Sequence, residues 1–179
     1  MKTQEQNATT ASRDERFVEA ILKRCANGKG LAARLRRADN PATEYQSWEV
    51  LGALGVDLER DYQRLPFVTV AAAIAKSKAT ANGSMTLGRA IANCYDDGRE
   101  SNQAKARLRR LLACDELGEA CRILRPILTL IDSKVGQPLN FVRLLRQLRN
   151  FPFHTQSIKA QWAQEFYGQS PEQVEEGVA

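Results

Sequence analysis

The sequence predicts an all-α protein, built as two small helical bundles packed together with about nine helices in all. Three observations lead there. Apolar residues recur with the helical period almost throughout. No segment alternates polar and apolar residues with period two, as a half-buried strand would. Asn-Gly, Asn-Pro and Asp-Gly steps interrupt the periodic stretches, as they do between short helices.

The elements follow in order. Phe17, Val18, Ile21, Leu22 and Cys25 make one apolar face of a helix over about 13 to 26, ended by Asn27-Gly28. A short helix carrying Leu31, Ala32 and Leu35 stops before Asn40-Pro41. Pro41 suits the first turn of a third helix running toward Leu54, with Tyr45, Trp48, Leu51 and Ala53 as its apolar residues. Pro66 is expected to open a fourth, from Phe67 to about Ala79. Its centre, Val68 to Ala75, is apolar nearly all round and is expected to be buried. After the turn Ala81-Asn82-Gly83-Ser84, either Ser84 or Thr86 can cap a short helix from Leu87 to Cys94. Asp96-Asp97-Gly98 marks the expected boundary between an N-terminal bundle, residues 1–98, and a C-terminal basic bundle with an acidic tail, residues 99–179. Three helices are expected over about 101–113, 116–132 (kinked at Pro126) and 138–150, and a last one from Thr155 to about 167. From Pro171 onward the chain is acidic and expected to fray.

Charge is unevenly spread. The 179 residues hold 26 Lys plus Arg against 21 Asp plus Glu, a net of +5, and 18 of the cations are Arg. Residues 101–159 hold 11 basic and 4 acidic groups, whereas residues 160–179 hold 4 acidic and no basic ones. On a helical wheel, Arg107, Arg109 and Arg110 lie opposite Ala104, Leu108, Leu111 and Leu112. Arg143, Arg146 and Arg149, three apart, lie opposite Phe141, Leu144, Leu145 and Leu148. Arg122 and Arg125 share a narrow polar edge with Thr129, and Arg34, Arg36 and Arg37 add an earlier patch. Each stripe alone reads equally well as a solvated helix surface. Together they suit the successive phosphates of a nucleic-acid backbone, in contacts that position a strand without reading its sequence. No aromatic residue is interleaved with them, so base stacking is not indicated.

Other chemistries find no support. No stretch is long and apolar enough to cross a bilayer, and Met1 to Thr10 is polar, unlike a secretory signal, so no membrane partner is expected. Cys25, Cys94, Cys114 and Cys121 show no paired spacing and read as free core thiols in a reducing cytoplasm. His154, the only histidine, reads as a partly buried turn residue beside Phe151 and Phe153. The acidic groups at Asp57, Glu59 and Asp61, at Asp96-Asp97 and at Asp115-Glu116 read as turns and helix N-termini rather than metal ligands. Asn27-Gly28-Lys29-Gly30 lacks the spacing of a phosphate loop. The expectation is therefore no catalytic residue, no metal and no cofactor.

Residues 85–93 read Met-Thr-Leu-Gly-Arg-Ala-Ile-Ala-Asn. This resembles the Leu-Gly-Arg-Ala segment of the CasB family, the small subunit of the type I-E CRISPR surveillance complex, Cascade. Further features run in the family's order: Asn27-Gly28, the pair Arg36-Arg37, Tyr45 and Trp48, the basic helix ending at Asp115, Arg125, Pro138-Leu139 before Arg143, and a last helix with Trp162, Phe166 and Tyr167. The resemblance covers about residues 14–168. It implies a non-catalytic protein of two helical bundles, present as two copies beside the other Cascade subunits and the crRNA. There it would hold target DNA and the displaced single strand. It carries Arg37, Arg107, Arg125 and Arg143 onto nucleic-acid-facing positions. One departure is Ala113, where the family has a basic residue; Arg109 and Arg110 lie one turn earlier. Arg89 is read as structural, paired with a carboxylate inside the fold. The alternative to a Cascade subunit is a free-standing helical DNA-binding regulator. That would need a recognition helix reaching base edges by its N-terminal residues, and no helix-turn-helix spacing is found.

Overall fold

A computed structural model describes residues 11–168. The expected fraying after Pro171 and the character of Met1 to Thr10 lie outside the described residues. Nine α-helices lie within them: α1 (Arg13–Asn27), α2 (Lys29–Arg37), α3 (Trp48–Ala53), α4 (Asp61–Ser77), α5 (Leu87–Asn93), α6 (Asn102–Leu112), α7 (Leu117–Lys134), α8 (Phe141–Asn150) and α9 (Thr155–Tyr167). Short 3-10 turns at Glu44–Ser47 and Gly98–Glu100 complete the set. Among the described residues there is no strand, and the fold is all-α as the periodicity predicts.

α4 is the axis of the molecule. Every residue from Pro66 to Ala75 is buried, and the helix packs against α1, α2, α7 and α8. A helix apolar all round has no solvent face to offer and must be surrounded. The core is continuous from Phe17 to Phe166. Within it Phe17 meets Phe67 edge-on at 4.7 Å, and Phe151 stacks on Trp162 at 5.6 Å. The Trp162 indole N–H is satisfied by Gln147 Oε1 at 2.9 Å, as a buried donor must be.

Several boundaries differ from expectation, each for a local reason. α1 opens with a capping box: Ser12 Oγ accepts the Glu15 N–H at 3.2 Å while the Glu15 carboxylate accepts the Ser12 N–H. Pro41 does not start α3. Asn40 Oδ1 takes the Ala42 N–H, and the Thr43 hydroxyl donates to the Arg37 carbonyl, so the chain turns and reaches helix only at Trp48. Tyr45 is 59% exposed and Trp48 40%, and Ala53 is also exposed. Val50 and Leu51 carry that segment's burial. α4 begins at Asp61, five residues ahead of Pro66. The amide hydrogen that proline lacks would have bonded the carbonyl of Tyr62, a half-exposed residue where water can serve instead. α7 runs through Pro126 as one helix.

α8 starts at Phe141, later than expected, because the chain before it pairs with another segment. Met85 and Leu139 form an isolated parallel bridge, with the Asn140 N–H on the Met85 carbonyl at 2.8 Å and the Gly83 N–H on the Leu139 carbonyl at 2.9 Å. A Cβ at Gly83 would fall 1.8 Å from the Pro138 carbonyl oxygen, so only glycine fits. Neither proposed side chain caps α5. Thr86 stands at the cap position without a side-chain bond, and Glu165 of α9 accepts the Gly88 N–H at 3.1 Å instead. Gly88 is also where α5 and α9 touch: a Cβ there would meet the Trp162 carbonyl oxygen at 2.4 Å. The Leu-Gly-Arg-Ala segment is thus a helix-packing joint. His154 is exposed rather than partly buried, because Phe151 alone turns into the core there.

Candidate nucleic-acid interface

The arginines predicted from helix wheels fall into two electrostatic settings. On α8 the three arginines meet two carboxylates brought by other helices, and Arg146 stays exposed. Asp14, in the first turn of α1, is buried and pairs with Arg149, while Arg146 Nε lies 3.9 Å from its other oxygen. The Arg149 guanidinium also stands 5.6 Å over the Phe67 ring. Arg143 Nε bonds Glu165 Oε1 at 2.7 Å, an oxygen shared with Gln147 Nε2 at 3.0 Å. Glu165 therefore serves Gly88, Arg143 and Gln147 together. Arg89, expected to pair with an internal carboxylate, has no ion-pair partner among the described residues, because those other groups occupy Glu165.

The α6–α7 seam is different. Arg107, Arg110 and Arg122 rim a groove of about 310 Å³ whose buried lining residues are Ile123 and Ile127. Arg110 and Arg122 are exposed, while Arg107 is half-buried, its Nε bonded to the Tyr95 hydroxyl at 2.6 Å. That bond fixes the guanidinium at the groove edge without spending its charge. Among the described residues, the only carboxylate paired to these three is Glu119, 3.6 Å from Arg122, with both partners exposed. Arg109 is exposed and donates to the Lys105 carbonyl of its own helix at 3.3 Å. Beneath the seam lie Cys114 and Cys121, both buried free thiols. Burial pushes the Cys121 thiol up to about 11 and raises Cys114 as well, which makes them poor nucleophiles.

One turn along α7, Arg125 is largely buried. It reaches Asp39 at 3.9 Å, and its Nε has no hydrogen-bond partner. Asp39 also pairs with Lys76, which contacts the Thr129 hydroxyl at 3.3 Å. Lys76 gave no signal on a helical wheel, since it stands alone just after the all-apolar stretch Val70 to Ala75. Of the early patch, Arg34 pairs with Glu49 at 2.6 Å, Arg37 donates to Gln46 at 3.3 Å, and exposed Arg36 only grazes the Ala75 carbonyl at 3.5 Å. Tyr95 left no sequence signal either, because its role depends on a tertiary contact. No described helix is long and apolar enough to cross a membrane.

The family model described as CRISPR-associated protein Cse2 matches residues 31–167. Among solved structures, the chain is similar to the Cse2-family CRISPR-associated protein of Thermus thermophilus, with TM-score 0.72 and 25% identity over 89% of this chain and 100% of that one. It is similar to the CasB of M. ruber, with TM-score 0.70 and 24% identity over 94% and 100%. A chain of a CRISPR RNA-guided surveillance complex matches with TM-score 0.68 and 21% identity over 93% and 98%. No curated protein matches the sequence.

Proposed function

The chain belongs to the CRISPR-associated Cse2 family, and from that premise we propose that it is the non-catalytic small subunit of a type I-E Cascade complex. In this reading it works in the cytoplasm beside the other subunits and the crRNA, with a second copy of itself. It grips the backbone of target DNA and of the displaced strand. Exchange of one duplex for another is nearly balanced, so a few backbone contacts suffice to tip R-loop formation. The bundle before Gly98 supplies the α4 axis, and the bundle after it supplies most of the contact arginines.

The observation that carries this reading is the acid-poor groove of Arg107, Arg110 and Arg122. Its cations come from two helices and lie along the helices' long sides, an arrangement suited to following phosphates rather than probing base edges.

The test is to purify the Cascade particle with and without this chain and measure its affinity for target DNA. Co-purification, with weaker R-loop binding when the chain is omitted, is the expected result. A chain that never joins the particle, or a groove variant whose loss is confined to one DNA sequence, overturns the proposal.

A further inference from the structure

A second basic groove lies far from α6 in the sequence. It runs between the end of α1, the start of α2 and the end of α4, with a volume of about 420 Å³. Three cations line it, Lys29, Arg36 and Lys78, and no carboxylate among the described residues does. All three are exposed. Its floor is Ala32, Ile74 and Ala75.

Two of these cations sit where local structure disfavours them. Lys29 is the first residue of α2, a helix with no acid in its first turn and no side-chain cap. A positive charge there opposes the helix dipole. Lys78 is left-handed, with φ +53 and ψ 23, and is the only non-glycine residue at positive φ among those described. That backbone suits glycine; a lysine costs about 1 kcal/mol there. Arg36 makes only the long contact to the Ala75 carbonyl. None of the three is in an ion pair among the described residues, and the internal carboxylate of Asp132 feels the charge of Lys78 without bonding it. Cations held against local preference in this way mark a site for an external anion.

We propose that Lys29, Arg36 and Lys78 form a second binding groove for a nucleic-acid backbone, separate from the α6–α7 groove. The inference rests on the nucleic-acid reading above and extends it to a different face. The spacing of single charges around an apolar floor suits a phosphodiester strand in passing contact, held by charge alone.

Cys25 supplies the probe. It lines the same groove, and it is the one cysteine of the four that is not buried. Burial raises its thiol, with Arg36 opposing, so alkylation is followed at mildly alkaline pH. The full chain is mixed with a mixed-sequence single-stranded DNA oligonucleotide. The expected result is several-fold slower alkylation of Cys25, and a salt dependence lowered by about 2 in slope when all three cations are changed to Ala. Lys78→Gly separates binding from folding: it should raise the unfolding midpoint by relieving the backbone, yet weaken binding. If the oligonucleotide binds while Cys25 reacts at its free rate and the triple variant binds normally, this groove is refuted and the α6–α7 reading survives. If the wild-type chain binds no oligonucleotide even at low salt, the nucleic-acid reading itself fails.

Discussion

The arginines of α8 and those of the α6–α7 groove are equally well placed on their helices, opposite an apolar face, yet their surroundings differ. Arg149 pairs with a buried aspartate brought by α1, which exposed Arg146 only approaches, and Arg143 pairs with a glutamate of α9 whose side chain is largely enclosed. Arg110 and Arg122 face solvent and one exposed glutamate. A buried carboxylate commits its arginine, because separating the pair strands a charge in a poor solvent. An exposed carboxylate barely competes, since water and salt screen it. The same residue pattern therefore builds a clamp in one place and an open cation rim in the other.

The contrast is most exposed to failure at Arg149. Arg149→Ala should cost about 2–3 kcal/mol, read from urea unfolding, because Asp14 stays buried with only the distant Arg146 and the contact over Phe67 is lost. Unchanged unfolding with weakened DNA binding would move α8 into the binding class. Alkaline pH tests the seam under the groove. The Cys121 thiol stands near 11 in the folded protein against an ordinary 9.0, so its contribution is intact below pH 9 and is lost as pH rises toward 11. A decline of roughly 2 kcal/mol is expected, with hydrogen exchange rising first in α6 and α7 and with Cys121→Ala flattening the decline. The groove pair comes next. Arg110→Ala with Arg122→Ala should leave stability within about 0.5 kcal/mol and weaken DNA binding about tenfold, equally for all sequences. Glu119→Gln should have the smallest effect. It releases Arg122 from an exposed pair and should strengthen binding about twofold by titration at low salt.

Much of the helix order was legible in the sequence. The face of α1, the all-apolar centre of α4 and the extents of α6 and α9 are local properties, set by period and by turn residues. The misplaced boundaries share a different cause. Pro41 and Pro66 both permit a helix start without requiring one, and side-chain bonds from Thr43 and from Arg64 to Glu44 decided the actual course. The late start of α8 depends on Met85, more than fifty residues earlier. The same limit governs the arginines. A wheel shows which way a side chain leaves its helix, and it places the predicted arginines on polar edges. It does not show what arrives from elsewhere, so Asp14 beside Arg149, Glu165 beside Arg143 and Asp39 beside Arg125 were out of reach. Lys76 and Tyr95 were missed for the same reason.

The joint between Gly88 and Glu165 has a consequence for biosynthesis. α5 is a seven-residue helix whose only side-chain cap arrives 77 residues later in the chain. At 5–20 residues per second, a ribosome takes roughly 4–15 s to make that stretch. Throughout that interval α5 has no partner for its close-packed face, and a helix so short does not hold by itself. The α1–α4 layers can begin to condense as they emerge, but α5 must wait for α9. A nascent chain stalled before Trp162 should therefore expose the Leu-Gly-Arg-Ala segment to chaperones and proteases, and the segment should become protected only after α9 has cleared the exit tunnel.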